Sequence, residues 1–210
     1  FKMKNKFPLK SYSNIESYFE GYAKSLQSSF ENISKKDLKK ISDSIEKTIK
    51  SNSNIFICGN GGSSSVSNHF LCDFQKGLLI DKKLKLKTYS LTSNTDLITA
   101  ISNDLSYDDI FSLQLESLAS KNDLLVLFSV SGTSKNIIKA CKFAKKKKLK
   151  IISFVGFSNS LLKKYSDICL ELNNYNFGIS EDIFQSLMHI ISQYLRQKNL
   201  KSKKVSKKYF

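Results

Sequence analysis

The sequence predicts an α/β fold with a five-stranded, mostly parallel sheet, and two patterns lead to this prediction. The first is a series of short apolar runs rich in β-branched and aromatic residues, which is typical of buried strands. These runs lie at 55–58, 86–90, 124–128, 151–155 and 168–172. The second is the alternation of these runs with helical stretches, because strands joined by helices form right-handed crossovers and a doubly wound parallel sheet.

Helices are predicted before, between and after the strands. Two of them precede the first strand, since apolar residues recur there at three- and four-residue spacings. The predicted helices are 13–30, 35–51, 64–76, 94–102, 108–118, 134–147, 161–165 and 181–197. A chain of 210 residues suits one ordinary domain. We therefore expect a single domain at 13–197, with an N-terminal extension at 1–12 and a basic C-terminal tail at 198–210.

The composition argues against a nucleic-acid-binding, membrane-spanning or secreted protein. The formal net charge is +16, but the lysines spread over helix faces and concentrate at 145–148 and in the tail, so nucleic acid is not the expected primary partner. No run approaches the roughly 18 to 20 apolar residues of a membrane-spanning helix, and the N-terminal region lacks the apolar core of a signal peptide. We expect a cytoplasmic protein without a membrane partner.

The four cysteines stand far apart in apolar or helical segments, as Cys58, Cys72, Cys141 and Cys169. Zinc ribbons and redox motifs need closely spaced pairs, which this chain lacks. Unpaired cysteines are among the most frequently buried residues. The sequence therefore predicts four buried free thiols rather than a disulfide framework.

A glycine-rich loop follows the first predicted strand. Residues 59–65 read Gly-Asn-Gly-Gly-Ser-Ser-Ser and lead into a helix. The glycines allow positive φ and a close approach to a ligand, while Ser63 or Ser64 can cap the helix and offer hydroxyls to a phosphate. The loop is neither a Walker loop nor a dinucleotide fingerprint, because it lacks their lysine and their glycine spacing. Alone, it predicts either an anion site or a tight turn before a capped helix.

A second loop repeats this chemistry after the third predicted strand. It reads Ser-Val-Ser-Gly-Thr-Ser at 129–134 and also leads into a helix. Gly132 supplies backbone freedom, and the four hydroxyls lie beside exposed amide groups at a helix N-terminus. Since ligands bind at the carboxyl edge of a parallel sheet, two such loops at one edge predict a phosphate site.

Both histidines of the chain lie on predicted helices near an acidic residue. His69 and Asp73 are four residues apart, and Glu181 and His189 are eight apart, so each pair shares a helix face. Two imidazoles and two carboxylates can bind a divalent metal ion, and imidazole is a common ligand of zinc. The same groups can instead transfer protons as an acid/base pair. A lone histidine on a helix is usually structural, but the pairing of both histidines with acids favours a functional site.

Together these motifs resemble the phosphoheptose isomerases, a family of sugar isomerase (SIS) domain enzymes that convert sedoheptulose 7-phosphate to D-glycero-D-manno-heptose 7-phosphate. The likeness extends over residues 13–196 and includes Asn103-Asp104 ahead of Asp109, and Glu181-Asp182 ahead of His189. The resemblance implies a three-layer αβα sandwich, a homotetramer with active sites between subunits, and a bound zinc ion. It makes the expected function that of an aldose-ketose isomerase acting on a sugar phosphate.

The resemblance also implies a role for individual residues. The substrate-binding residues would come from both loops, from the Asn-Asp pair and from the last helix: Asn60, Gly61, Gly62, Ser63, Asn103, Asp104, Ser129, Ser131, Ser134 and Glu181. The metal ligands would be His69, Asp73, Glu181 and His189. Asp73 and His189 would be the catalytic residues that move a proton through an enediol intermediate.

Two acidic positions, among others, depart from the family pattern. Phosphoheptose isomerases typically have Glu where this chain has Asp73, and Gln where it has Glu181. A shorter carboxylate must be repositioned, because a misplacement of about 1 Å can cost on the order of 100-fold in rate. Two alternatives therefore stand beside the isomerase: a non-catalytic SIS adaptor that resembles the partner of the bacterial replication initiator, and a sugar-phosphate sensor without turnover. The complete set of histidines and acids favours the enzyme.

Overall fold

The computed structural model describes residues 6–78 and 86–198, and its centre is a five-stranded sheet with the strand order β2-β1-β3-β4-β5. All four strand pairs are parallel. The strands are β1 (Ile55–Gly59), β2 (Thr88–Ser90), β3 (Leu124–Ser129), β4 (Lys150–Val155) and β5 (Ile168–Glu171). Each strand lies within two residues of its predicted run, so the predicted fold class is confirmed.

Helices cover both faces of the sheet. They are α1 (Ile15–Glu31), α2 (Lys35–Lys50), α3 (Gly62–Cys72), α4 (Thr95–Asp104), α5 (Ser112–Leu118), α6 (Lys135–Lys146) and α7 (Phe177–Lys198). One core joins α2, α3 and α7, with α1 against them, to one face of the sheet. The other core joins α4, α5 and α6 to the opposite face. The molecule is thus the expected three-layer αβα sandwich.

A cluster of phenylalanines fixes α3 and α7 to the sheet. Phe70 of α3 and Phe184 of α7 contact Phe128 of β3, which stacks on Phe154 of β4 at 4.8 Å between ring centroids. All four side chains are buried. Burying each one stabilises the fold by about 1.5–3 kcal/mol, and pairs of aromatic rings add to this. The two helices that carry the histidines therefore have a rigid base.

Some helix bounds differ from the prediction, for local reasons. Helix α7 begins at Phe177, four residues before the predicted start, because the Asn176 side chain accepts a hydrogen bond from the backbone N–H of Ile179. Helix α3 ends at Cys72 and continues as a π-helical turn, Asp73–Leu78. The predicted helix at 108–118 is divided into a 3₁₀ turn, Tyr107–Asp109, and α5, while that at 161–165 is a 3₁₀ turn.

The prediction of four buried thiols is wrong for one residue. All four cysteines are free, but Cys72 is exposed, whereas Cys58 and Cys141 are buried and Cys169 is half-buried. Helix α3 packs on the sheet through the stripe that contains Val66 and Phe70, and Cys72 lies outside that stripe.

The expected limits of the domain stay a prediction. Phe7, from the expected N-terminal extension, is buried against the rings of Tyr12, Tyr18 and Tyr22. The expected basic tail lies outside the described residues except for Lys198. In the stretches 6–78 and 86–198, no helix is both long and apolar enough to span a bilayer.

A buried carboxylate joins the beginnings of β1 and β3. Asp123, 3% exposed, accepts hydrogen bonds from the backbone N–H and the side-chain amide of Asn54 and from the backbone N–H of Ser120, at 2.8–3.0 Å. We expect Asp123→Ala to lower the free energy of unfolding by about 1–3 kcal/mol, because it leaves three partly buried N–H groups without their acceptor. Asp123→Asn keeps one acceptor oxygen and should lose less.

Urea denaturation measures this difference. The matched control is Asp43→Ala on α2, where an exposed carboxylate is paired with Lys39, and its effect should stay within about 0.5 kcal/mol. Equal losses for Asp123→Ala and Asp43→Ala would contradict the role of the buried carboxylate.

Candidate active site

The two serine-containing loops meet at the carboxyl edge of the sheet. They follow β1 and β3, which are neighbouring strands, and the chain then enters α3 on one face and α6 on the other. Such a switch point opens a crevice where ligands bind in doubly wound folds. The crevice is a cavity of about 330 Å³ lined by Asn60, Gly61, Gly62, Ser63, Ser129, Val130, Ser131, Ser134, Phe177 and Glu181. Eight of these were predicted to bind substrate.

The first loop is shaped by glycines that no larger residue can replace without strain. Gly61 has a φ of +55°, and a Cβ atom on Gly59 would lie 2.6 Å from the carbonyl oxygen of Ser63. The structure corrects one expectation here. The cap of α3 is Gly61, which makes no side-chain hydrogen bond, and Ser64 instead donates its hydroxyl to the Gly61 carbonyl. The Gly61 cap therefore supplies no side-chain acceptor of its own to the first turn of α3 beside the cavity.

The second loop is organised around Gly132. This residue has a φ of +65°, and a Cβ atom there would lie 1.9 Å from the Ser160 hydroxyl oxygen. The backbone N–H of Gly132 donates to the hydroxyl of Ser129, and Thr133 donates to the hydroxyl of Ser131. Helix α6 then begins after Ser134, again without a side-chain cap. Two helix N-termini, with their partial positive charge, thus meet at one cavity, which suits an anion.

Asn136 joins the two loops and was not among the predicted site residues. Its side-chain amide and that of Asn60 exchange two hydrogen bonds, of 2.8 and 2.9 Å, and Asn136 is only 2% exposed. The Tyr107 hydroxyl also donates to Asn60, at 3.2 Å. The one available signal was the position of Asn136 in the first turn of α6, where an Asn side chain can reach back to the preceding loop.

The predicted histidine site forms between α3 and α7, which run side by side in the same direction. His69, Asp73 and His189 offer ligand atoms that all lie within 4.8 Å of one another. Asp73 Oδ2 is 2.8 Å from His189 Nδ1, and Asp73 Oδ1 is 3.5 Å from His69 Nε2. The Ser192 hydroxyl also donates to Asp73, at 3.3 Å. Three of the four predicted metal ligands are therefore together.

These three residues fit a divalent metal ion. Two imidazoles and one carboxylate are the ligands of many catalytic zinc sites, which leave a further position open for water or substrate. Asp73 is half-buried and His69 is exposed on the solvent side, so a small molecule can reach the group. The same contacts also make Asp73 and His189 a hydrogen-bonded acid/base pair.

Gln185 is a second residue that the sequence analysis missed. Its amide nitrogen lies 2.9 Å from His69 Nδ1 and 3.0 Å from His189 Nε2, so one side chain contacts both histidines. Gln185 precedes His189 by one helical turn and must share its face. That spacing was visible in the sequence, but a single glutamine among many polar residues on a helix carries little information.

Glu181 lies with the loops and outside the histidine cluster. Its carboxylate is against Gly62, where a Cβ atom would collide with it, and it accepts a hydrogen bond from the backbone N–H of Ser63. Partial burial raises the pKa of Glu181 above its usual value, the charge of Asp182 adds to the rise, and the Ser63 N–H opposes it. Two turns of α7, about 12 Å, separate Glu181 from His189. Glu181 thus lines the cavity outside the cluster of His69, Asp73 and His189, and its role as a metal ligand stays a prediction.

The structure does not bring the predicted Asn-Asp pair to this cavity. Asn103 and Asp104 lie exposed at the end of α4, where the Asn103 amide donates to the Asp104 carboxylate. Among the described residues, those that line the cavity include neither of them. Their contact with substrate stays a prediction.

Comparisons with known proteins agree with this architecture. The family model of the SIS domain matches residues 17–156. The chain is 36% identical to a Thermoplasma acidophilum protein named "Probable phosphoheptose isomerase" over 75% of this chain and 86% of that protein. It is 32% identical to a phosphoheptose isomerase of Helicobacter pylori over 84% of this chain and 91% of that one.

Solved structures show the same fold. The phosphoheptose isomerase of Neisseria gonorrhoeae superposes with a TM-score of 0.79, at 24% identity, over 87% of this chain and 97% of that one. The matched family model covers most of the chain, and the relatives match over most of their own length. The chain therefore belongs to the SIS-domain family and, within it, to the phosphoheptose isomerases.

Proposed function

We propose that the protein is a sugar-phosphate isomerase that converts sedoheptulose 7-phosphate to D-glycero-D-manno-heptose 7-phosphate. One observation carries the proposal: an anion site and an acid/base cluster lie along the same pair of helices. The first and second loops, at the beginnings of α3 and α6, suit the phosphate, and the histidine cluster lies about two to three helical turns along α3 and about two turns beyond Glu181 on α7. A phosphorylated sugar chain can place its carbonyl end at the cluster while the loops hold its phosphate.

The loops would bind and orient the substrate. Ser131 and Ser134 supply hydroxyls beside the N-terminus of α6, and the N–H groups of the first loop supply further donors. Asn60 would donate to a sugar oxygen, since its amide is held in one orientation by Asn136. Fixing the phosphate in this way positions the reacting carbons, which lowers the barrier to the reaction.

The reaction moves one proton between neighbouring carbons. One of Asp73 and His189 removes the proton from the carbon next to the carbonyl, which gives an enediol, and the proton returns to the former carbonyl carbon. The other residue assists the proton transfer between the two oxygens. Where no metal ion lies between them, the 2.8 Å contact allows either residue to restore the protonation state of the other.

Zinc is the metal that we propose for the cluster, held by His69, Asp73 and His189. When bound, it would supply Lewis-acid stabilisation of the oxyanion that develops on the sugar. We further propose a homotetramer with sites between subunits, in which the exposed Asn103 and Asp104 are available to a neighbouring cavity. A cytoplasmic location is also part of the proposal, since four free thiols suit a reducing compartment.

The decisive experiment is to incubate the full chain with sedoheptulose 7-phosphate and to measure formation of the aldose. Three samples are compared: untreated protein, protein treated with a chelator, and chelated protein with zinc added back. We expect turnover that the chelator removes and zinc restores. Tight substrate binding without product would support the sensor, and neither binding nor product would support the adaptor.

The role of Asp73 is tested by Asp73→Asn. The amide cannot accept a proton, so we expect kcat to fall by about 100- to 10,000-fold, with KM nearly unchanged. Steady-state kinetics and zinc content should be measured together, because Asp73 is also a proposed ligand. The control is Asp43→Asn, the same change on the exposed face of α2. Near-normal turnover of the Asp73 variant would rule out this residue as the base.

The role of Glu181 is tested by pH. Because its pKa lies above the usual 4.5, the carboxyl stays neutral to a higher pH and then becomes a carboxylate in the phosphate cavity. Repulsion between like charges should raise KM as the pH rises through this pKa, by roughly fivefold for about 1 kcal/mol in a solvated site. Glu181→Gln should remove this rise.

The measurement is the ratio of the wild-type KM to the Glu181→Gln KM from about pH 5 to about pH 8. Using the ratio cancels the titration of the substrate phosphate, which both proteins experience equally. A ratio that does not change with pH would show that the Glu181 charge does not affect substrate binding.

A further inference from the structure

Gln185 has contacts that the proposed mechanism does not use. Its side-chain amide lies against both histidines, at 2.9 Å from His69 Nδ1 and 3.0 Å from His189 Nε2. Asp73 faces the remaining nitrogen of each ring, His69 Nε2 and His189 Nδ1. The two imidazoles therefore stand between an acid and an amide, with every ring nitrogen 2.8–3.5 Å from a polar atom of Asp73 or Gln185.

A carboxylate can only accept hydrogen bonds, so the contacts of Asp73 favour one arrangement of the protons on the two imidazole rings. If Asp73 accepts the N–H of each ring, the opposite nitrogens, His69 Nδ1 and His189 Nε2, carry lone pairs. The NH₂ group of Gln185 has two hydrogens and can donate one to each lone pair. In this arrangement both histidines are neutral, and no lone pair of either ring points toward Asp73.

A divalent cation requires the opposite arrangement. An ion bound beside Asp73 by both imidazoles needs lone pairs on His69 Nε2 and His189 Nδ1, so each ring must carry its proton on the nitrogen that faces Gln185. Those N–H groups need an acceptor, and a ring that binds a metal normally finds one for its other nitrogen. The carbonyl oxygen of Gln185 has two lone pairs and can accept both hydrogen bonds after the amide turns by about 180°.

We propose that Gln185 is a positioning residue that sets the tautomers of both histidines and turns its amide when the metal ion binds. With its NH₂ group toward the rings, it stabilises the arrangement in which Asp73 accepts protons from both imidazoles. With its oxygen toward the rings, it stabilises the arrangement in which His69, Asp73 and His189 hold the ion. Each ring only moves its proton from one nitrogen to the other, so the protein neither gains nor loses a proton. This inference rests on the metal site of the proposed function.

The test reads the tautomers directly. Nitrogen NMR of ¹⁵N-histidine-labelled protein distinguishes protonated from unprotonated ring nitrogens, and the chain has only two histidines to assign. Without metal we expect protons on His69 Nε2 and His189 Nδ1, and with one equivalent of zinc we expect them on His69 Nδ1 and His189 Nε2. Tautomers that are identical with and without zinc would overturn the proposal.

Two variants test whether the acceptor at position 185 matters. Gln185→Met removes both hydrogen bonds, and we expect zinc affinity to fall by about 10- to 100-fold, as for other partners of metal-bound histidines. Gln185→Glu keeps an acceptor and has no donor, so its zinc affinity should equal or exceed that of the wild type. The control is Gln193→Met, the same change at an exposed position two turns later on α7. Zinc affinity of Gln185→Met within about twofold of the wild type would contradict the proposal.

The readouts separate this proposal from the proposed function. Circular dichroism and the unfolding midpoint show whether each variant folds, and the tautomers of the wild type decide the question even if Gln185→Met does not fold. An inactive wild type whose histidines exchange tautomers on zinc binding would refute the isomerase and keep this inference. An active, zinc-dependent wild type whose histidines keep their tautomers would support the isomerase and refute the role of Gln185.

Discussion

The parallel pairing of β1 with β3 is the constraint on which the rest of the site depends. It aligns Gly59 with Phe128, so both strands end at the same level of the sheet and both loops begin there. Because the chain leaves β1 toward one face and β3 toward the other, the loops separate and leave a crevice between them. The amide pair of Asn60 and Asn136 then crosses this crevice and holds its two walls together.

The second requirement is that α3 and α7 keep a fixed register. Proton transfer and metal binding need side chains from both helices within a few tenths of an ångström, and a helix on a fluid base could not provide this. The phenylalanines beneath the two helices provide the rigid base, with Phe70 and Phe184 buried against the same strand. Fold and function are connected here, since the residues that stabilise the sandwich also align the histidines.

The two departures from the family pattern have different consequences in the structure. The shorter Asp73 still reaches His189 at 2.8 Å, and it lies where α3 changes to a π-helical turn. Glu181 lies by the first loop, against Gly62, and a glutamine one turn later along α7, Gln185, contacts the histidines. On α7, the Glu181 carboxylate thus belongs to the cavity between the loops, and the Gln185 amide belongs to the histidine cluster.

The fold class, the positions of all five strands, both loops and the pairing of His69 with Asp73 could be predicted from the sequence. These features follow from local periodicity and spacing, which a linear chain displays directly. The side chains that meet across elements could not be predicted in this way: Asn136 with Asn60, Gln185 with both histidines, and Glu181 with the first loop. Spacing along one helix shows which residues share a face of that helix. The residues that they contact on the other helix depend on how α3 packs against α7, which no local pattern specifies.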